Sequence, residues 1–306
     1  MNSLYDNVKS YSEILSELGR QNPNIFAVNS DMGAPGSFAR EFPNRFIEVG
    51  IAEQNLIGVA AGLALRGKIP FVYAMAPFVT MRSFEQIRTD LAYGEKNVKI
   101  VSVCTGLSGG PWGTTHHAIE DITLMRVIPQ MTVISPADSL ETERAICAAA
   151  EHIGLVYIRL GPGEPVYEED YTFEIGKAVT LREGDDVTIA AAGSMVIKAL
   201  RAHDELTQQG IKTRVLNVHT IKPLDTETIL QAAEETSGIV TAEEHSVVGG
   251  LGGAVAEVLA EAGIGRLKRV GIQDTFCTTI GSYEELCEIY GLTAKSIVET
   301  VKKFVA

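Results

Sequence analysis

Short apolar runs alternate with helix-like segments along the chain, and this alternation constrains the fold more than any other feature. The runs are almost continuously apolar, as in Ile69–Ala74 and Leu155–Arg159. Strands that helices cover on both faces have this composition, whereas a strand with one solvated face alternates apolar and polar residues. The intervening helices also provide the long crossovers that parallel strands need. The sequence therefore predicts an α/β fold with mostly parallel sheets.

A break near residue 160 divides this alternation into two parts. Glycine and proline punctuate Gly161–Pro165, and the acidic run Glu168–Asp170 follows. With 306 residues the chain is long enough for two domains of roughly 150 residues each. We therefore predict two domains, 1–160 and 185–306, each a mostly parallel sheet flanked by helices. A linker over 161–184 is predicted to join them.

The elements of each predicted domain follow from the same pattern. In the first domain the strands are Ile25–Asn29, Phe46–Val49, Ile69–Ala74, Val98–Cys104, Thr132–Ser135 and Leu155–Arg159. Its helices are Val8–Glu17, Ala52–Leu65, Arg82–Ala92, Glu120–Arg126 and Leu140–Ala150. In the second domain the strands are Val187–Ala192, Thr213–Asn217, Gly238–Ala242 and Leu267–Gly271. Its helices are Met195–Gln209, Asp225–Glu235, Gly253–Ala262 and Thr293–Phe304.

Composition limits the partners and the compartment. A net charge of −13 argues against a surface for nucleic acid or for an anionic membrane. No apolar run approaches the ~18 residues that span a membrane, and the polar segment Met1–Gly19 does not resemble a signal peptide. The four cysteines form no C-x-x-C pair and no metal-ligand spacing, which is typical of reduced thiols. The sequence therefore predicts a cytoplasmic protein.

The segment Gly50–Asn55 places a carboxylate, Glu53, at the predicted start of a helix rich in small and apolar residues. A helix N-terminus favours a negative charge, because its free N–H groups and its dipole attract that charge. Apolar surroundings oppose the charge. A carboxyl group held between these influences can exchange a proton with a bound heterocycle. A Glu that only compensates the helix dipole is the simpler interpretation, so the neighbouring loops must decide.

Two loops follow the next two predicted strands and carry further functional groups. Pro77-Phe78-Val79 follows Ile69–Ala74, and Gly109–His117, which contains Trp112, follows Val98–Cys104. Sites in α/β folds are built from loops at the carboxyl ends of the strands. These loops are therefore expected to bring a carboxylate, an aromatic ring and an imidazole to one edge of one sheet.

As a set and in this order, these motifs resemble transketolases, and more specifically the C-terminal half of transketolases that are split into two chains. The resemblance covers essentially the whole chain. The segments that carry it are Gly50–Asn55, Phe78, Arg82–Arg88, Gly113–His116, Thr220–Asp225, Glu243–His245 and Gly249–Gly253. It implies a subunit of a thiamine-diphosphate-dependent enzyme that transfers a two-carbon ketol unit from a ketose donor to an aldehyde acceptor.

The resemblance also implies a role for each matching residue. Residues 1–160 would be the pyrimidine-binding domain, and residues 185–306 would be the transketolase C-terminal domain, mainly a scaffold. The expected catalytic residues are Glu53, which would hydrogen-bond N1′ of the aminopyrimidine, and His116, which would move protons on substrate hydroxyls. The expected cofactor-binding residues are Asp31, Met32, Ile51, Glu53, Met75 and Phe78. The match assigns no role to His117, for which a solvated or capping histidine is an equal interpretation.

The segment that holds the diphosphate in thiamine enzymes is missing from this chain. That segment reads Gly-Asp-Gly with a later Asn, and Gly184-Asp185-Asp186 lacks the rest of it. The resemblance therefore implies that no metal ligand comes from this chain. Mg²⁺ and the diphosphate would be held by an N-terminal subunit, most simply in an α2β2 assembly with homodimer contacts and active sites between chains.

Several residues depart from the usual pattern of the family. Trp112 stands where an Asp reads a substrate hydroxyl, and Cys104 stands where a histidine faces the substrate. Pro162 falls near the position of an Arg that grips the sugar phosphate, although Arg159 is close. A lost polar contact to a buried partner is worth ~1–3 kcal/mol. We therefore expect a donor or acceptor that is not an ordinary sugar phosphate.

Other functions use parts of the same sequence. A deoxyxylulose-phosphate-synthase-like or 2-oxo-acid decarboxylating subunit would use the same Glu53, and release of carbon dioxide from pyruvate would identify it. A non-catalytic regulatory subunit would tolerate Glu53→Ala without loss of activity in the complex. A stand-alone nucleotide-binding protein is disfavoured, because Gly249–Gly253 lacks the Gly-x-Gly-x-x-Gly spacing and its later acidic residue.

Overall fold

The computed structural model describes residues 3–33, 36–167 and 171–305. The acidic run 168–170 of the predicted linker therefore lies outside the described residues. The strands are β1 (Ile25–Asn29), β2 (Phe46–Glu48), β3 (Ile69–Met75), β4 (Lys99–Val103), β5 (Thr132–Ile134), β6 (Val156–Arg159), β7 (Val179–Arg182), β8 (Val187–Ala191), β9 (Thr213–Asn217), β10 (Thr220–Lys222), β11 (Ile239–Ser246) and β12 (Leu267–Ile272).

The helices separate most of these strands. They are α1 (Ser3–Gln21), α2 (Phe38–Glu41), α3 (Glu53–Leu65), α4 (Phe84–Gln86), α5 (Asp121–Val127), α6 (Ser139–Glu151), α7 (Met195–Gln208), α8 (Thr226–Glu235), α9 (Leu251–Ala262), α10 (Tyr283–Ile289) and α11 (Ala294–Val305). The predicted helix Arg82–Ala92 is instead α4 between two π-helical turns, Phe78–Arg82 and Ile87–Ala92. Within the described residues, no helix combines the length and the apolar character needed to cross a membrane.

The first sheet has the strand order β10-β5-β6-β4-β3-β1-β2, and β1 to β6 are parallel to their neighbours. Strand β3 shows why its sequence is continuously apolar. Phe71 and Tyr73 pack into the cluster that contains residues of α1 and α6, and the alternate residues Val72 and Ala74 pack into the cluster that contains residues of α3. Helices thus bury both faces of the sheet, and the predicted α/β fold is confirmed.

Strand β10 lies beyond the predicted linker in sequence but belongs to the first sheet. It pairs antiparallel with β5, with Thr220 opposite Ile134. The ammonium of Lys222 donates to the carbonyl of Arg126 at 2.9 Å and to that of Ile128, so the strand is also fixed to the end of α5. The second half of the chain therefore supplies one edge of the first sheet.

The second sheet has the strand order β12-β11-β8-β9-β7. All its pairs are parallel except that of β7 with β9. Strand β7 lies inside the range 161–184 that was predicted as a linker, so the sequence analysis missed a strand there. The boundaries of the two domains stay a prediction.

Candidate active site

The predicted site residues lie at the carboxyl ends of four neighbouring strands of the first sheet, β2, β1, β3 and β4. Asp31 follows β1, Glu53 begins the helix after β2, Phe78 follows β3, and His116 lies in the long loop after β4. Because these strands are parallel, their carboxyl ends meet at one edge. The topology places the four loops side by side.

Glu53 is the first residue of α3 and is 3% exposed. Its Oε2 accepts a hydrogen bond from Nη1 of Arg82 at 2.6 Å. The same guanidinium lies over the ring of Phe78, with Cζ 4.6 Å from the ring centroid. The carboxylate and the aromatic ring are therefore joined by a cation that the sequence analysis did not single out.

The ring of Phe78 also contacts the imidazole of His116. Their centroids are 5.2 Å apart and the planes meet edge-to-face at 75°. Trp112 lies on the other side of His116, with centroids 5.5 Å apart, and is 57% exposed. Between the last two residues, Gly113 has a φ of +80°, which a glycine adopts without strain. The contacts connect the carboxylate, guanidinium, phenyl, imidazole and indole groups in one continuous series.

The loop that carries Trp112 and His116 is fixed at its base and by the second half of the chain. Gly106 and Ala118 form an antiparallel bridge that closes it. The carboxylate of Glu244, on β11, accepts from the backbone N–H of Leu107 at 2.7 Å. It also accepts from the hydroxyl of Tyr283 at 2.8 Å and from that of Ser194. Residues of the second domain therefore hold the candidate active-site loop.

His117 is buried, and this excludes the solvated interpretation. Its Nδ1 lies 3.1 Å from the carbonyl oxygen of Cys277, which also accepts from the hydroxyl of Thr114 at 2.9 Å. Burial lowers the pKa of His117, so a neutral ring is favoured. His117 thus anchors the loop to the segment before α10.

Arg159 does not face the candidate site. It is 3% exposed, and its Nε lies 2.8 Å from Oδ2 of Asp121, which also accepts from Tyr157 at 2.7 Å. Its Nη2 donates to the carbonyl oxygen of Glu244 at 2.9 Å. This guanidinium is committed to buried partners, so the idea that it replaces the missing phosphate-binding Arg is not supported.

Cys104 also lies inside the protein. It is 4% exposed within the apolar cluster that includes Tyr73 and Val103, and burial raises the pKa of its thiol to about 11. A neutral thiol in that position contributes packing. Of the two substrate-side departures, Trp112 is the exposed one.

The remaining expected cofactor residues lie around the same edge in different environments. Asp31 is exposed, and its backbone N–H donates at 2.8 Å to Oε1 of Glu48, which also accepts from Gly50. Ile51 is 74% exposed. Met32 and Met75 are half-buried against the apolar cluster beside β1 and β3.

A cavity of about 490 Å³ opens beside these side chains. Its wall includes Phe78, Arg82 and Thr115 from the first domain, together with Glu120 and the exposed ring of Phe276. Burial raises the pKa of Glu120. Over the described ranges, no cluster of three or more His, Cys, Asp or Glu side chains is arranged to bind a metal ion.

The sequence matches two family descriptions. Residues 5–163 match the transketolase pyrimidine-binding domain. Residues 176–297 match the transketolase C-terminal domain. The chain belongs to the transketolase family. It corresponds to the C-terminal subunit of the two-chain transketolases, as its relatives indicate.

Two relatives are similar over nearly their whole length. The 6-deoxy-6-sulfo-D-fructose transketolase subunit SqwH of Clostridium sp. (strain MSTE9) is 45% identical and covers 94% of this chain and 91% of its own. An apulose-4-phosphate transketolase subunit from Phocaeicola vulgatus is 42% identical and covers 97% and 96%. A solved structure described as a split-gene transketolase, inactive β4 tetramer, is 46% identical with a TM-score of 0.90 over 97% of both chains.

Two residues of this transketolase site were missed, although both lie in segments that drew attention. Arg82 begins the Arg82–Arg88 motif and lies four residues after Phe78, so a helical turn brings it onto that ring. Glu244 lies in Glu243–His245, but the sequence gives no sign that it reaches the loop after β4. The contact between two distant segments had to be seen in three dimensions.

Proposed function

We propose that this chain is the pyrimidine-binding subunit of a two-chain, thiamine-diphosphate-dependent transketolase that transfers a two-carbon ketol unit from a ketose to an aldehyde. The observation that carries the proposal is the Glu53 carboxylate, buried at the start of α3 and joined through Arg82 to the Phe78 ring. The diphosphate and Mg²⁺ are assigned to a partner chain. The functional unit is proposed to contain two copies of each chain.

The side chains present fit an aminopyrimidine ring. A planar cation with N–H donors already contacts both the carboxylate and the aromatic face, so a planar ring with a protonated nitrogen meets matching groups there. Glu53 would hold the proton shared with the ring nitrogen N1′, and burial strengthens that interaction. Phe78 would fix the plane of the ring by stacking. When bound, thiamine diphosphate supplies the nucleophilic carbon and the electron sink of the reaction.

His116 and Trp112 are assigned to the substrate side. The imidazole lies against Phe78, from where it would transfer protons to and from substrate hydroxyls. Trp112 presents an apolar ring where a carboxylate would otherwise receive a hydroxyl. Two relatives are named for a sulfonated sugar and for apulose 4-phosphate. These observations support a donor or acceptor outside the ordinary pair of xylulose 5-phosphate and ribose 5-phosphate.

The test uses Glu53→Gln in the complex co-expressed with the candidate N-terminal subunit. Turnover is expected to fall by orders of magnitude, because the amide cannot share the ring proton, while the complex still assembles. The exposed Glu85→Gln, on the neighbouring α4, is the matched control and should leave turnover unchanged. Assays should include 6-deoxy-6-sulfo-D-fructose and apulose 4-phosphate beside xylulose 5-phosphate. A loss below ~10-fold, about 1.4 kcal/mol of barrier, would contradict the role of Glu53.

The same preparations distinguish the alternatives. Thiamine diphosphate and Mg²⁺ should bind to the complex and not to this chain alone. Release of carbon dioxide from pyruvate would instead identify a decarboxylating enzyme of the deoxyxylulose-phosphate-synthase or 2-oxo-acid type. A complex whose activity does not change with Glu53→Ala would identify a non-catalytic subunit.

A further inference from the structure

Arg82 occupies both surfaces that the proposed function assigns to the aminopyrimidine. Its Nη1 lies 2.6 Å from Oε2 of Glu53, and its Cζ lies 4.6 Å from the centroid of Phe78. A guanidinium is planar, positively charged and edged with N–H donors. These are also the properties of an aminopyrimidine protonated on its ring nitrogen. One site therefore suits both groups, and they cannot fill it together.

The two partners of this ion pair differ in burial. The side chain of Glu53 is 4% exposed, whereas that of Arg82 is 46% exposed. A buried carboxylate without a counter-charge is strongly disfavoured, because it has lost its hydration. Glu53 cannot leave its position at the start of α3, but the half-exposed guanidinium can rotate into solvent. Arg82 is thus the movable member of the pair.

We propose that Arg82 is a displaceable placeholder, which neutralises Glu53 and covers Phe78 in the free subunit and yields both surfaces to the aminopyrimidine when the cofactor binds. The inference rests on the proposed function of Glu53 and adds an exchange step to it. Two cations alternate on one carboxylate, so the charge of Glu53 is compensated before and after binding.

The cavity provides room for the displaced side chain. Arg82 already lines this cavity of about 490 Å³, and the carboxyl group of Glu120 lines it too. Oε2 of Glu120 accepts from the backbone N–H of Ile119 at 3.1 Å, which leaves further acceptor capacity for a guanidinium. Movement from Glu53 into this cavity exchanges one acidic neighbour for another.

The placeholder predicts an unusual sign for a substitution beside a binding site. Arg82→Met removes the competitor and leaves Glu53 uncompensated in the free state, so the complex is expected to bind thiamine diphosphate several-fold more tightly than the wild type. If Arg82 instead held the bound ring in place, the same variant would bind more weakly. The direction of the change separates the two roles.

The experiment has two readouts. The first is thermal unfolding of this chain alone as Arg82→Met, Glu53→Gln and the double variant, with the exposed Arg88→Met as the matched control. Arg82→Met should lower the melting temperature, and Glu53→Gln should remove most of that loss, since a neutral amide needs no counter-ion. The second is a titration of the co-purified complexes with thiamine diphosphate at saturating Mg²⁺.

Tighter binding by Arg82→Met together with coupled unfolding supports the placeholder. Weaker or unchanged binding, or additive effects on unfolding, overturns it. If Arg82→Met does not fold, Arg82→Lys keeps the charge without the planar fork and should also bind the cofactor more tightly, and weaker or unchanged binding again overturns the proposal. If even the wild-type complex binds no cofactor, the proposed function fails and the placeholder fails with it. Weaker binding confined to the Arg82 variants leaves the proposed function intact.

Discussion

Two buried charges in this chain are compensated in opposite ways. Glu53 relies on a half-exposed guanidinium that can move away. Lys99, at the start of β4, is fully buried, and its ammonium donates to Oδ1 of Asn97 and the carbonyl of His152, both at 2.6 Å, and to the carbonyl of Gly154 at 2.8 Å. Fixed backbone acceptors suit a permanent structural charge, whereas a mobile counter-ion suits a carboxylate that must later accept another partner.

Burial lowers the pKa of Lys99 from 10.5 to about 7. The unfolded chain therefore binds more protons than the folded chain between these values, so the free energy of unfolding should rise as the pH increases from about 7 to about 10. Lys99→Met should remove this increase, whatever its effect on overall stability. Urea unfolding at several pH values measures the slope, and the exposed Lys268→Met should keep it. An unchanged slope in Lys99→Met would assign the titration to another group.

At this scale the sequence supports only part of the candidate site. Glu53, Phe78 and His116 could be proposed because they lie in motifs that resemble a family, and the structure brings them into one series of contacts. Arg82 and Glu244 were missed because their roles depend on which distant atoms they reach. An ion pair between positions 53 and 82 has no local pattern in the sequence.

At the scale of elements, the loop after β4 is held by a carboxylate from β11. Three donors, the N–H of Leu107 and the hydroxyls of Ser194 and Tyr283, converge on Glu244, which is 2% exposed. A Cβ on Gly106 would lie 2.1 Å from Oε1 of Glu244, so only glycine permits this approach. The position of Trp112 and His116 therefore depends on a residue of the other domain.

Glu244→Gln should loosen this loop more than it destabilises the protein as a whole. The amide replaces an acceptor with a donor, so at least one of the converging groups loses its partner, at a cost of ~1–3 kcal/mol. Hydrogen exchange of a peptide spanning residues 105–118 should accelerate more than exchange in β3. The exposed Glu284→Gln, on α10, is the control. Uniform acceleration over both segments would mean that Glu244 has only a general structural role.

Elements with strong local patterns could be predicted, and elements defined by distant pairing could not. Strand β1 has the predicted bounds, since its apolar run is long enough to be recognised. Strand β10 has three residues and pairs with a strand far away in sequence, so it carries no local signal. Helix α10 was missed although Ser282 and Glu285 form a capping box, a signal that could have been used.

At the scale of the whole molecule, several large apolar side chains are exposed around the candidate site. Met81 and Phe276 border the same cavity and are 40% and 72% exposed. Ile280, which is 67% exposed, lies next to Gly113, and Trp112 is close by. A cluster of exposed apolar side chains beside a site is typical of a surface that another chain covers. This face is therefore assigned to the partner subunit.

Phe276→Asp should weaken assembly with the N-terminal subunit at least tenfold, because a charge would have to be buried in the interface. The melting temperature of the free chain should hardly change, since the ring is mostly exposed. Sedimentation of mixed chains over a concentration series measures the effect. Ile153→Asp is the control, because Ile153 is 87% exposed and lies just before β6, at the opposite edge of the sheet. Equal weakening by both variants would place the interface elsewhere.

The pairing of β10 with β5 also bears on how the two halves could be exchanged between relatives. A chimaera joined within 161–184 would import a foreign β10 into the first sheet together with the second half. Removal of that half would leave β5 as an open strand edge, which invites aggregation. A crossover placed after Asp225, which caps α8, would keep the first sheet native. For recombination, the unit that contains the pyrimidine-binding fold is discontinuous and ends with a strand from the far side of the linker.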